Sequence, residues 1–346
     1  WSHYRITGNQ GFMSVFGAEI LLEIARFWAS AAHYNPKRGR YEIHGVMGPD
    51  EFHDGYPDSP EAGLRNNAYT NVMVAWIMGV TLRAFDELLE YRRQELRESL
   101  RLDDSELSLW ADMNHKMFVP FHDDSIISQF EGYEDLHELD WRHYRRKYGN
   151  IARLDRILEA EGDSPNRYKL AKQADVVMLF YLFAPESITT IFQTLGYPLD
   201  PAAIRRNFDY YLRRTSHGST LSSIVHSAVL ARYDGEKSWR MYQKALESDV
   251  RDAQGGTTSE GIHLGVMAAT VDLVQRGYMG VEIRDEVLFF NPLVPHRLEG
   301  LGVAMRYRGA RLEVNVSDGK LSILLRRGGP DMVPVGVRDA VYYLKT

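Results

Sequence analysis

Cysteine is absent from all 346 residues, which excludes disulfides and thiolate metal sites. Basic residues are in deficit: 41 Lys and Arg stand against 47 Asp and Glu, for a formal net charge of -6 and a pI near 6.1. A surface that tracks nucleic-acid phosphates needs the opposite balance, so no nucleic-acid partner is expected. Long apolar runs are missing too. The best stretch, Val72 to Val80, falls far short of the roughly 20 residues that cross a bilayer and soon meets Arg83. The chain reads as a soluble, cytoplasmic protein with no membrane partner. It opens at Trp1 with no Met, basic n-region or apolar h-region, which reads as no secretory signal and as the C-terminal part of something longer. Nucleotide-binding glycine loops, a Walker A sequence and a Gly-x-Ser-x-Gly elbow are all lacking, so no organic cofactor or serine-hydrolase triad is supported. The histidines form no helical His-x-x-x-His or Glu-x-x-His pair beside another ligand cluster, and no metal is expected.

What the chain does have is core-forming material, with 44% hydrophobic and 12% aromatic residues. Helical periodicity runs through some 280 residues. From Gly11 to Ala32 the apolar positions Phe16, Ile20, Ile24, Phe27 and Trp28 read as the core face of a long helix, and Asn67 to about Tyr91 reads as a second. Further helices are expected near Ser105 to Met117, Trp141 to Tyr148, Tyr168 to Leu182, Pro201 to Leu212, Ser219 to Ala231, Lys237 to Leu246 and Gly261 to Arg276. After Gly280 short alternating runs such as Val287 to Phe290 and Lys320 to Leu325, with Asp318-Gly319 as a hairpin turn, read as antiparallel strands. The expected architecture is a mainly α region over 1–280 and a small antiparallel β domain over 281–346.

Four clusters could carry chemistry. Gly48-Pro49-Asp50-Glu51-Phe52-His53, followed by Asn66-Asn67-Ala68-Tyr69-Thr70-Asn71, places consecutive carboxylates on a rigid turn ahead of a polar-headed helix. Glu51 is the first candidate for a general acid, although adjacent carboxylates on a loop also describe solvated surface. Lys172-Gln173-Ala174-Asp175 offers ammonium and amide donors suited to sugar hydroxyls, or an ordinary polar helix start. Thr215-Ser216-His217-Gly218-Ser219-Thr220-Leu221-Ser222 gathers hydroxyls and backbone N–H groups at a helix N-terminus, where orphan donors and the helix dipole favour an anion. A plain N-cap needs only one of those hydroxyls. Gly255-Gly256-Thr257-Thr258-Ser259-Glu260-Gly261-Ile262-His263 brings Glu260, a base or a first-turn acid, and His263, a donor to an anion or a structural histidine.

Taken in order, these motifs resemble glycoside hydrolase family 65, and in spacing its maltose, trehalose and kojibiose phosphorylases. The resemblance runs from the helix around Phe12 to Ala32 through the β region. It implies part of an (α/α)6 barrel followed by the family's small C-terminal domain, with the upstream β-sandwich and first barrel helices not found before Trp1. It also implies that Glu51 is the general acid, that Lys172 and Gln173 hold the donor glucose, and that His217, Gly218, Ser219, Thr220 and His263 form the phosphate site. Thr220 stands where Ser is frequent in the family, and keeps the hydroxyl.

The implied activity is inverting phosphorolysis of an α-linked disaccharide to β-glucose 1-phosphate, with inorganic phosphate as co-substrate and a possible homodimer. Phosphate is already a nucleophile, so one carboxylate suffices where an inverting hydrolase needs two. An inverting α-glucoside hydrolase of the same family remains the alternative, with Glu260 as its base; an inactive carbohydrate-binding fragment is the non-enzymatic one. Which disaccharide or acceptor is used is not legible, trehalose, maltose, kojibiose, nigerose and glucosylglycerol all remaining open.

Overall fold

The computed structural model describes residues 1–345 apart from 58, 124, 253–256, 327–328 and 339, and the side chains of Thr257 and Glu260 also lie outside it. The chain divides into two compact units, residues 14–222 and residues 1–13 with 223–346.

In the first unit the helix Ala18–Ala31 lies on the helix Ala68–Asp86, where the Thr81 hydroxyl donates to the Leu21 carbonyl at 3.2 Å. The expected core face of the first helix is not the buried one. Ala18, Leu21, Leu22 and Ala25 are buried, whereas Phe16, Ile20, Ile24 and Phe27 are exposed and Trp28 is half-buried. The helix is apolar on two sides, and periodicity cannot say which side meets a neighbour. Helix starts follow their caps: the side-chain oxygens of Asn67, Asp103 and Asp200 accept from the first-turn N–H groups of Ala68–Asp86, Asp104–Lys116 and Pro201–Leu212. The helix foreseen from Asn67 to Tyr91 stops at Asp86, and a separate helix, Glu90–Leu100, follows.

Two other expectations shift. Ala32–Asn35 and Arg40–Val46 form an antiparallel hairpin that the helix-dominated pattern hid, closed by Gly39 at φ 66. The helix expected from Tyr168 begins only at Val176. Its first residues give their N–H groups away: Lys169 to the His137 carbonyl, Ala171 to the Arg214 carbonyl and Lys172 to the Asp50 carboxylate. A segment whose donors are committed across the fold cannot close helical turns on itself.

The second unit contains the helices Gly235–Glu247 and Leu264–Asp272 and two sheets. Gly300–Tyr307, Ala310–Ser317 and Lys320–Arg326 form a three-stranded antiparallel sheet. Asp318 and Gly319, at φ 50 and 70, make the two-residue turn expected between its last strands. The four-stranded sheet runs Ala340–Lys345, Met332–Val337, Val287–Phe290, Val281–Arg284. Its middle pair, Met332–Val337 with Val287–Phe290, is parallel, so the domain is antiparallel in all but one pairing. Leu288, Phe290, Tyr307, Leu312, Val314 and Val335 fill the core of these sheets.

Candidate active site

The strand Arg40–Val46 delivers the chain to Gly48, where the carbon skeleton has no room to spare. A Cβ there would lie 2.2 Å from Asn67 Nδ2 and 2.3 Å from Asp175 Oδ2, so only glycine fits. Asp50 is buried and fully engaged. Its Oδ1 accepts from the Lys172 backbone N–H at 2.8 Å, and its Oδ2 accepts from Gln129 Nε2 at 3.0 Å and lies 3.3 Å from His53 Nδ1. His53, also buried, bonds through Nε2 to the Tyr168 carbonyl at 3.0 Å. The loop is therefore held from beneath by Asp50 and His53, while the next residue points outward.

That residue is Glu51. Its side chain is 59% exposed, and its Oε2 accepts from Lys172 Nζ at 2.6 Å. Lys172 is thus in contact with the candidate acid directly. Gln173, expected to hold sugar, donates its amide Nε2 to the Pro49 carbonyl, which fastens its motif to the Gly-Pro turn. Arg153 sits beside this pair: the Asp155 hydrogen bond raises its guanidinium above the ordinary value, and the Glu51 charge adds to the effect.

Sequence reasoning quoted Asp175 without giving it a task. Its carboxyl is buried, with Oδ2 3.3 Å from Asn67 Nδ2 and 3.5 Å from the Asp50 backbone nitrogen. Among the described residues its Oδ1 has no partner. Burial first, and the charge of Asp50 second, push Asp175 up to about 8, so it is held as the neutral acid at pH 7. A neutral carboxyl under the Gly48 turn supports the loop without adding a second buried charge beside Asp50.

The anion candidate adjoins the acid through Lys172. Its backbone carbonyl accepts from the Gly218 N–H at 2.9 Å, and the Ala171 carbonyl accepts from Ser216 N–H at 2.8 Å. A Cβ on Gly218 would meet the Ala152 carbonyl oxygen at 2.1 Å, which explains the glycine. His217 takes the left-handed conformation at φ 57, and its Nδ1 lies 2.8 Å from the Ser222 hydroxyl. Ser219 and Thr220 then stand at the start of the helix Thr220–Leu230, with the Ser219 hydroxyl accepting from the Leu221 N–H at 3.3 Å. One residue thus touches both chemistries: Lys172 reaches Glu51 by its side chain and the Gly218 turn by its backbone.

His263 belongs to the other unit and is described by itself. Asp249 grips it twice, accepting from its backbone N–H at 2.9 Å and lying 2.5 Å from its Nδ1. The His263 hydrogen bond holds the Asp249 carboxyl below its ordinary value. Sequence reasoning missed Asp249, which stands in no helical spacing to His263. Glu260, the alternative base, has a side chain outside the described residues, as do Gly255 and Gly256 of its loop.

The family model described as the glycosyl hydrolase family 65 central catalytic domain matches residues 1–272, and that for the family 65 C-terminal domain matches 281–344. An uncharacterized glycosyl hydrolase of Mycobacterium tuberculosis is 47% identical over 345 residues, covering 100% of this chain and 26% of that protein. The trehalose 6-phosphate phosphorylase of Lactococcus lactis is 33% identical, covering 93% of this chain and 40% of the relative. A kojibiose phosphorylase of Caldanaerobacter subterraneus is 32% identical, covering 95% and 40%. A solved structure assigned as a kojibiose phosphorylase, from the human microbiome, superposes with a TM-score of 0.80 at 23% identity, over 99% of this chain and 47% of that one. That likeness bears on the fold alone. The chain spans between about a quarter and two fifths of the length of these curated relatives.

Proposed function

The chain belongs to glycosyl hydrolase family 65, and from that premise we propose that it supplies the acid and anion side of an inverting α-glucoside phosphorylase. The observation that carries the reading is Lys172, whose Nζ meets Glu51 while its carbonyl holds the Gly218 turn that opens the helix at Thr220. An acid and a hydroxyl-rich helix start are thereby tied to one residue, and the segment 215–222 contains no carboxylate to activate water. Its similarity to the trehalose 6-phosphate phosphorylase of Lactococcus lactis and the kojibiose phosphorylase of Caldanaerobacter subterraneus supports this reading.

In the proposed reaction Glu51 donates its proton to the glycosidic oxygen as the bond from the anomeric carbon to that oxygen breaks. A phosphate oxygen attacks the opposite face of the same carbon, held by Ser219, Thr220 and the Gly218 turn. The products are β-glucose 1-phosphate and the free acceptor hydroxyl, and Glu51 is left as a carboxylate that solvent reprotonates. Glu51 is exposed in the chain alone, and its proton transfer calls for water to be excluded around it once the sugar is bound. Lys172 then exchanges its contact with Glu51 for a donor-sugar hydroxyl. Inorganic phosphate is the only co-substrate.

The test is to incubate the protein that carries this chain with an α-glucoside panel including trehalose 6-phosphate, with and without phosphate, and to detect glucose 1-phosphate and its anomeric form. Phosphate-dependent β-glucose 1-phosphate is expected. Glucose released equally fast without phosphate assigns the hydrolase instead. Replacing the acid, Glu51→Gln, is expected to lower turnover by roughly 10²- to 10⁴-fold with the thermal unfolding curve unchanged. Undiminished turnover in that variant rejects Glu51 as the donor.

A further inference from the structure

The hairpin that leads into the acid loop carries a group of side chains that the proposed reaction does not use. His33, on Ala32–Asn35, pairs across the ladder with Glu42 on Arg40–Val46, and His44 follows Glu42 by two residues, so all three share one face. One ligating atom from each lies within 4.8 Å of the others. His44 Nε2 is 3.1 Å and His33 Nε2 is 3.6 Å from the same oxygen, Glu42 Oε2. The two rings meet edge to face with centroids 4.3 Å apart.

We propose that His33, Glu42 and His44 form a binding site for a divalent transition-metal ion of the zinc type. Ligands about 2.1 Å from a tetrahedral ion stand about 3.4 Å from one another, and the two distances to Glu42 Oε2 bracket that value. Hydrogen bonding alone accounts less well for the group, because 3.6 Å is too long for a bond from His33. Two imidazoles and one carboxylate suit zinc, and they leave a coordination position for water.

The surroundings are those of a built site. Glu42 is 5% exposed and the histidines are 51% and 40% exposed, so the anionic ligand is fixed inside while the imidazoles leave a path for an ion. The other carboxylate oxygen, Glu42 Oε1, accepts from Asn35 Nδ2 at 2.9 Å and from Arg38 at 3.1 Å, which aims Oε2 at the histidines. Arg38 also pairs with Glu131, and Arg65, opposite His44 in the sheet, shares the Glu131 charge, so two carboxylates and two guanidinium groups surround the site. Searching for helical histidine spacings overlooks such a site, since its ligands follow the period of a strand and the register of a hairpin.

The test uses the chain stripped by chelator dialysis. Titration with Co²⁺ is read by visible d–d absorption, and Zn²⁺ by equilibrium dialysis and by thermal unfolding. One ion per chain is expected, with a rise in Tm. His33→Ala and His44→Ala are expected to abolish stoichiometric binding and the Tm rise. Asn35→Ala is expected to weaken binding roughly 10- to 100-fold by releasing the carboxylate, and His296→Ala, in the other unit, to change nothing. His33 is half exposed, so its replacement tests the site even if His44→Ala fails to fold. No stoichiometric binding by the wild-type chain, or binding that survives His33→Ala unchanged, overturns the proposal.

Discussion

Asp175 is kept uncharged by the fold, and that has a thermodynamic signature. Its pKa rises from an ordinary value near 3.8 when unfolded to about 8 when buried beside Asp50. Between those values the folded chain holds a proton that the unfolded chain has lost. Its contribution to stability is therefore complete below about pH 4 and is lost as pH rises toward 8, at no more than about 1.4 kcal/mol per pH unit. Asp175→Asn, which is neutral at every pH, is expected to flatten the fall in urea-unfolding stability between pH 5 and 8; an unchanged slope assigns it to another group. The sequence placed Asp175 in a motif but could not show its burial, and it showed nothing of Asp249 behind His263. The place of Glu51 just after the Gly48-Pro49 turn was legible, whereas its contact with Lys172 was not. That Gln173 is spent on the Pro49 carbonyl was not legible, because the contact joins residues far apart in the chain.

Among the elements, those with strong local signals were read well: Trp141–Tyr148 and Pro201–Leu212 begin at an Asp cap and end where expected. The hairpin Ala32–Asn35 with Arg40–Val46 was hidden by the helix-dominated pattern around it, and the delayed helix Val176–Leu182 by tertiary hydrogen bonds that take the donors of residues 169–172. The helix start at Thr220 is where an element-level test belongs. Removing one hydroxyl donor by Ser219→Ala is expected to raise the KM for phosphate several-fold or more while leaving disaccharide KM nearly unchanged; an unaltered phosphate KM counts against the anion role. At the turn before it, Gly218→Ala forces a methyl group against the Ala152 carbonyl. It is expected to cost about 1–3 kcal/mol in chemical denaturation, by overpacking.

At the scale of the whole molecule, four clusters strung along the chain made the family legible where any single one was weak. Burial was less legible. The helix Ala18–Ala31 and the turn before it leave Val15, Phe16, Ile20, Ile24 and Phe27 exposed as one apolar face, edged by Glu19 and Glu23. Contiguous apolar surface of this kind is uncommon on monomeric soluble proteins. The isolated chain is therefore expected to enhance the fluorescence of an anilinonaphthalene dye. Ile20→Lys combined with Phe27→Lys is expected to remove most of that signal without lowering Tm, since neither side chain is buried. Dye fluorescence unaffected by the double substitution places the apolar surface elsewhere.

The close approach of Gly218 to the Ala152 carbonyl bears on how such a protein can be re-engineered. A graft of residues 149–153, which carry Arg153 near Glu51, is one way to vary the surroundings of that carboxylate. It does not travel alone: the donor's backbone path at 152 and the residue at 218 have to come from the same parent. A chimera that mixes them is expected to displace the Lys172 carbonyl from the Gly218 N–H, and with it the tie between Glu51 and the helix start at Thr220.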